Sequence, residues 1–195
     1  MYKRILPFFC ILFLVAGMTA ADLPPESNRM RPDHLPTPFS AEELKAWNVP
    51  GYQTTYLVEA EGREPLTVLT QWLPSEGGKG VFVSQEMSSR GELLGKPQKA
   101  SADWKELQSH ASFPVSATQV STVEIEVPAG KFTCWRYDVE RPVPSGEGEP
   151  KTLVMSFWFA RDLPGPPVLM QHRLEGRVTM TMTLLSHKRP KGGKG

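Results

Sequence analysis

Cysteine is nearly absent from this chain. Two occur in 195 residues, Cys10 and Cys134, and Cys10 lies in an amino-terminal apolar run expected to be cleaved. An intramolecular disulfide is thereby excluded from the mature protein. Cys134 has nothing basic or histidine-like beside it in sequence to lower its pKa, so it is expected to be a small buried hydrophobe on a strand. Charge of one sign is lacking too: 22 basic residues face 21 acidic ones, and loss of Lys3 and Arg4 with the amino-terminal segment leaves 20 against 21. That balance argues against a nucleic-acid partner, which demands a basic surface. No G-x-S-x-G, H-E-x-x-H or C-x-x-C is present, so serine hydrolase, zincin and thiol-redox chemistries lack their motifs. The glycines of Gly77-Gly78-Lys79-Gly80 lack the spacing and the following helix of a phosphate cradle. A nucleophile pair of Cys134 with His110 or His172 is conceivable, but no spacing brings them together. No cofactor and no enzymatic activity are expected.

The amino terminus supplies an address. Lys3 and Arg4 precede an apolar run from Ile5 to Gly17, and Met18-Thr19-Ala20-Ala21 ends in small residues. This is the layout of a cleavable signal peptide over residues 1–21. The run is short of the roughly 20 apolar residues a span needs, so a retained anchor is the lesser alternative and no membrane span is expected after cleavage. The protein is therefore expected in the periplasm or outside the cell. Residues 22–39 hold five prolines and are expected to be an extended, poorly ordered leader. A single domain over 40–186 and a basic, unpacked tail over 187–195 complete the division.

Strand signals dominate that domain. Val123, Ile125 and Val127 alternate with Glu124 and Glu126, then Pro128-Ala129-Gly130-Lys131 turns the chain into Phe132 to Val139. On this second strand Trp135, Tyr137 and Val139 share one face, and Phe132, Cys134, Arg136 and Asp138 the other. Similar alternation marks 52–59, 66–73, 81–87, 152–160, 168–174 and 177–186. Ser40 and Glu43 form a capping box for a short helix to about Trp47, and a second helix is expected over 102–111 with Ser101 as its cap. The expected fold is mainly β, a β-rich α+β arrangement: a curved antiparallel sheet or open barrel of about seven to eight strands with two short helices. No βαβ pattern supports a parallel sheet.

Three pieces of this pattern stand together: Val127-Pro128-Ala129-Gly130-Lys131-Phe132, then Phe157-Trp158-Phe159-Ala160 leading to Leu163-Pro164-Gly165, then Pro167-Val168 before the closing strand. The arrangement resembles a set of uncharacterised secreted or periplasmic bacterial proteins with a V-P-A-G-x-F hairpin. Their implied fold is loosely similar to the curved sheet of the LolA/LolB lipoprotein carriers. The resemblance covers about residues 52–186 and rests on turn chemistry, so it implies a fold and brings no catalytic residues.

The methionines bear on function. Met155, Met170, Met180 and Met182 fall on strands that can be neighbours, and with His172 they offer the soft donors that Cu(I) prefers. The regular alternation of Met180 and Met182 with threonines favours a core or groove face instead, and no metal site is assigned. Methionines and aromatics make an adaptable apolar surface. The expected function is thus a non-catalytic exported binding module, holding a lipid or other hydrophobic ligand in an apolar groove that includes Met155, Phe157, Phe159, Met180 and Met182. The alternative is a structural or assembly protein of the cell envelope acting through protein partners.

Overall fold

The computed structural model describes residues 23–144 and 149–190. The expected signal peptide, all but the edges of the 142–150 loop and the last five residues lie outside them. Among the described residues, nine antiparallel strands form one unclosed sheet, with two α-helices. The chain enters through α1 (Ala41–Trp47), then runs through β1 (Gln53–Ala60), β2 (Leu66–Glu76), β3 (Lys79–Ser88) and β4 (Gln98–Ala102). After α2 (Trp104–Ser109) come β5 (Thr118–Val127), β6 (Gly130–Val143), β7 (Lys151–Ala160), β8 (Leu169–Leu174) and β9 (Arg177–Lys188). Their order in the sheet is β4-β3-β2-β1-β9-β8-β7-β6-β5. Two meanders therefore grow from a shared seam, where β1 pairs with β9. The segment containing α2 carries the chain from one edge of the sheet to the other.

Local chemistry explains most of these elements. Gly77 and Gly78 take φ of 58° and 78° between the paired residues Glu76 and Lys79. Two successive left-handed residues make the hairpin turn whose twist suits the flanking strands, and glycine adopts them without a Cβ penalty. In the β5–β6 hairpin Val127 pairs directly with Gly130, so the turn is the two residues Pro128 and Ala129.

The sheet has nine strands where alternation suggests seven or eight, and the difference is β4. Its sequence, Gln-Lys-Ala-Ser-Ala, carries no hydrophobic period and is mostly exposed. Pairing with β3, from Gly80 opposite Ala102 to Ser84 opposite Gln98, defines it. A short polar strand with a lysine is how sheet edges resist further pairing. Because β4 takes Ser101, the cap of α2 falls to Asp103, which forms a capping box with Glu106.

Both faces of the sheet carry core. β6 buries Phe132 and Cys134 on one face and Tyr137 and Val139 on the other, as its alternation implies. One cluster joins Phe132, Cys134, Trp158, Val168, Leu184 and Tyr56. The second joins Phe39 and Leu44 to Tyr52, Trp72, Trp104, Tyr137 and Phe159.

Both terminal segments depart from expectation. The proline-rich leader is ordered over 23–39 and packs on the sheet. Thr37 and Pro38 are wholly buried, Leu35 N donates to Phe113 O at 2.9 Å, and the Tyr137 hydroxyl donates to Pro36 O at 2.6 Å. Gln108 of α2 anchors it further, donating to Asn28 O at 3.3 Å and Thr37 Oγ1 at 3.0 Å. Prolines suit this role: they bring no N–H to satisfy and hold the chain extended, so a few bonds anchor it. At the other end His187 and Lys188 complete β9 opposite Thr54 and Gln53. Arg189 then lies 4.6 Å over the Trp47 ring and donates to Ala46 O at 3.2 Å. The cation–π contact gives this basic segment the anchor that its composition conceals.

Candidate functional site

An apolar cleft of about 260 Å³ lies between the sheet and a roof made by the leader and helices. Its floor is set by strand register. Phe157, Met170 and Met182 stand directly opposite one another on β7, β8 and β9, so they share one face. Phe159, two residues along β7, joins the same face. Aromatic rings brace this floor: Phe113 stacks on Phe157 with centroids 5.0 Å apart, and Phe159 meets Tyr137 edge-on at 5.7 Å.

The roof is fixed by capping and burial. The Ser40 hydroxyl accepts from Glu43 N at 3.1 Å, and the Glu43 carboxylate accepts from Ser40 N at 2.7 Å. Two of the helix's orphan donors are thereby satisfied. α1 then turns Leu44 into the cleft. α2 contributes Leu107 and packs on α1, with Gln108 accepting from Ala41 N at 3.1 Å. Trp104 locks α2 to the sheet by stacking on Trp72, centroids 5.4 Å apart and planes within 17°. The β7–β8 connection, Gly165-Pro166-Pro167, closes one side.

Among the described residues the lining holds no carboxylate, ammonium or guanidinium, and the one titratable group there is His110 at an exposed position. Two buried amides interrupt the apolar wall. Gln108 is satisfied at both ends. Asn48 is 5% exposed; its Nδ2 donates to Leu44 O at 2.7 Å, while its Oδ1 has no partner among the described residues. A buried unpaired acceptor is costly, so Asn48 offers a ligand one directed hydrogen bond.

Of the residues singled out from the sequence, Phe157, Phe159 and Met182 line the cleft. Met155 and Met180 lie one row further along the same face, half-buried on either side of His172. Sequence reasoning missed Leu107, Phe113, Asn48 and the diproline. Leu107 sits in the expected second helix, but nothing local says what that helix covers.

Cys134 stands apart from the cleft. It is fully buried, and burial together with the nearby Asp162 carboxylate pushes its thiol up to about 12. Neither His110 nor His172 contributes to that shift. A thiol held protonated is a poor nucleophile. Among the described residues, no three His, Cys, Asp or Glu side chains gather to hold a metal, and no helix is long and apolar enough to cross a membrane.

No family model matches the chain, and no curated protein does. Among solved structures it is similar to the crystal structure of MucB, with 14% identity and a TM-score of 0.45. The match covers 74% of this chain and 55% of the MucB chain, so this protein spans about half that chain's length.

Proposed function

We propose that this is a non-catalytic binding module of the bacterial envelope, which holds one apolar chain, such as a lipid acyl group, in the cleft. The observation that carries this reading is a cleft floored by Phe157, Phe159, Met170 and Met182, with no formally charged group among the described residues of its lining. A volume of about 260 Å³ is just below the ~300–1,000 Å³ usual for small-molecule sites, which suits a single chain better than a whole two-chain lipid. Methionine adapts to ligands of varying shape, and Asn48 Oδ1 can orient a donor on the ligand. The signal-like amino terminus supports export.

Binding of fatty acids of increasing chain length tests the proposal. Each buried methylene contributes about 0.8 kcal/mol, so Kd falls roughly fourfold per methylene until the cleft is full. Leu107→Glu places a charge in the roof and abolishes the binding. Protein purified gently from the exported fraction, with no bound amphiphile by native mass spectrometry and no chain-length response, overturns the proposal.

An assembly role through protein partners is the second reading. Its support is Leu93 and Leu94, 66% and 44% exposed on the excursion between β3 and β4. A partner crosslinked to the parent but not to a Leu93→Ser/Leu94→Ser variant would favour it.

A further inference from the structure

Residues directly opposite one another on adjacent antiparallel strands share a face, with Cβ atoms about 4.5–5.5 Å apart. One such row runs Val139, Met155, His172, Met180, Ala60 across β6, β7, β8, β9 and β1. The next row runs Tyr137, Phe157, Met170, Met182, Val58. His172 therefore has a methionine immediately on each side. Met170 lies two residues before it on the same face of β8, and Met182 is diagonal to it. Four of the eight methionines in the chain surround one imidazole.

The hydrogen bond at this residue runs from Thr179 Oγ1 to the His172 backbone carbonyl, at 3.3 Å. Among the described residues the ring takes part in no hydrogen bond or ion pair. Burial holds its pKa below the ordinary histidine value, and an imidazole nitrogen can give its lone pair to a soft ion. All five side chains are half-buried, which leaves them within reach of solvent.

We infer that Met155, His172 and Met180, with Met170 and Met182 behind them, form a binding site for a soft monovalent cation, Cu(I) or its redox-stable analogue Ag(I). Thioether and imidazole donors are the set that such ions select, whereas Mg²⁺, Ca²⁺ and Mn²⁺ need oxygen ligands that these rows lack. The donors are all neutral, so a single positive charge costs less to hold on this partly dry face than a double one. Methionine's three rotatable bonds let sulfurs from neighbouring strands converge on one ion. The inference does not depend on the apolar ligand: Met155, His172 and Met180 lie outside the lining of the cleft.

Titration of the purified protein with Ag(I), read by the methyl resonances of ¹³C-methionine, is the test. One equivalent shifts the Met155 and Met180 methyls and the His172 ring signals, and leaves Met30 and Met87 unmoved. The Met155→Leu/Met180→Leu variant, checked as folded by circular dichroism, weakens binding by at least about tenfold, since even an outer-shell partner of a metal is worth that much. His172→Phe does the same, and neither variant alters the fatty-acid chain-length response. Unmoved Met155 and Met180 methyls, or a double variant that binds Ag(I) as tightly as the parent, overturns the inference.

Discussion

Gly80→Ala probes the contact that holds the roof on the sheet. Gly80 is buried at the start of β3, and a Cβ placed there would lie 2.8 Å from Trp72 Cζ3 and 2.9 Å from Trp104 Cη2. Relaxed carbon contacts are about 3.5–4.0 Å, so the rings must withdraw by roughly 0.6–1.2 Å. They cannot do so cheaply, because Trp72 and Trp104 are 7% and 9% exposed and stacked on each other. Overpacking of this kind costs about 1–3 kcal/mol. Against it stands the entropy that alanine removes from the unfolded chain, worth about 0.4–1 kcal/mol where glycine has an ordinary φ, as Gly80 does. The midpoints leave a net loss of about 1.3 kcal/mol, or a fall in Tm of about 3–5 °C for a chain of this size. Urea unfolding followed by tryptophan fluorescence measures it. Trp104→Phe in the Gly80→Ala background removes one of the clashing atoms and recovers part of the loss, so the double variant is more stable than additivity implies. If Gly80→Ala is as stable as the parent, the tryptophan pair is not the tight clamp described above.

Three further outcomes follow from buried groups. Tyr137→Phe removes the donor to Pro36 O from a wholly buried position; it leaves the carbonyl unpaired, costs about 1–3 kcal/mol, and speeds tryptic cleavage at Arg29, the bond after Arg31 being protected by Pro32. Cys134, fully buried with its thiol pushed up to about 12, resists iodoacetamide at pH 8 and reacts readily in denaturant, where the thiol regains a pKa near 8.5. Tyr56 and Tyr137 are likewise raised by burial. Their contribution and that of Cys134 are complete below the unfolded values of about 8.5 for cysteine and 10 for tyrosine, and are lost as pH rises toward the folded ones. The urea midpoint therefore falls progressively above about pH 9; a flat profile to pH 11 would refute this account.

Alternation alone carried the two faces of β6, because Phe132 and Cys134 on one side and Tyr137 and Val139 on the other all meet core. The α1 start was equally legible, since Ser40 and Glu43 complete each other within four residues. What escaped depends on partners distant in sequence. β4 is a strand only because β3 offers an edge. The leader is ordered only because Tyr137, Gln108 and Phe113, each more than 70 residues away, receive it. The candidate site divides the same way. Aromatics and methionines marked the floor, but the roof came from segments whose targets no local pattern names. The company of His172 was legible as a set, since the sequence already groups four methionines with it, but its arrangement was not. It follows from the β7–β8–β9 register, including the irregularity between His172 and Arg173, and a one-residue slip would have put that ring on the opposite face.

The face that carries the cleft changes character along its strands, and this separates stability from binding. On β9, Leu184 is wholly buried while Met182 and Met180 are half-buried; on β7, Phe159 is buried while Phe157 and Met155 are half-buried. The roof stands over the buried end, and the methionine row emerges beyond it. Substitutions at the two ends should therefore act independently. Gly80 and Met155 are five strand spacings apart, about 24 Å along the curved sheet, well beyond the 7–10 Å within which effects couple. Gly80→Ala and Met155→Leu should add to within about 0.3–0.5 kcal/mol in unfolding free energy, with Gly80→Ala supplying nearly all of the loss. A larger coupling would mean that the open methionine end is packed as one core with the tryptophan clamp, and such a core would leave His172 no room for an ion.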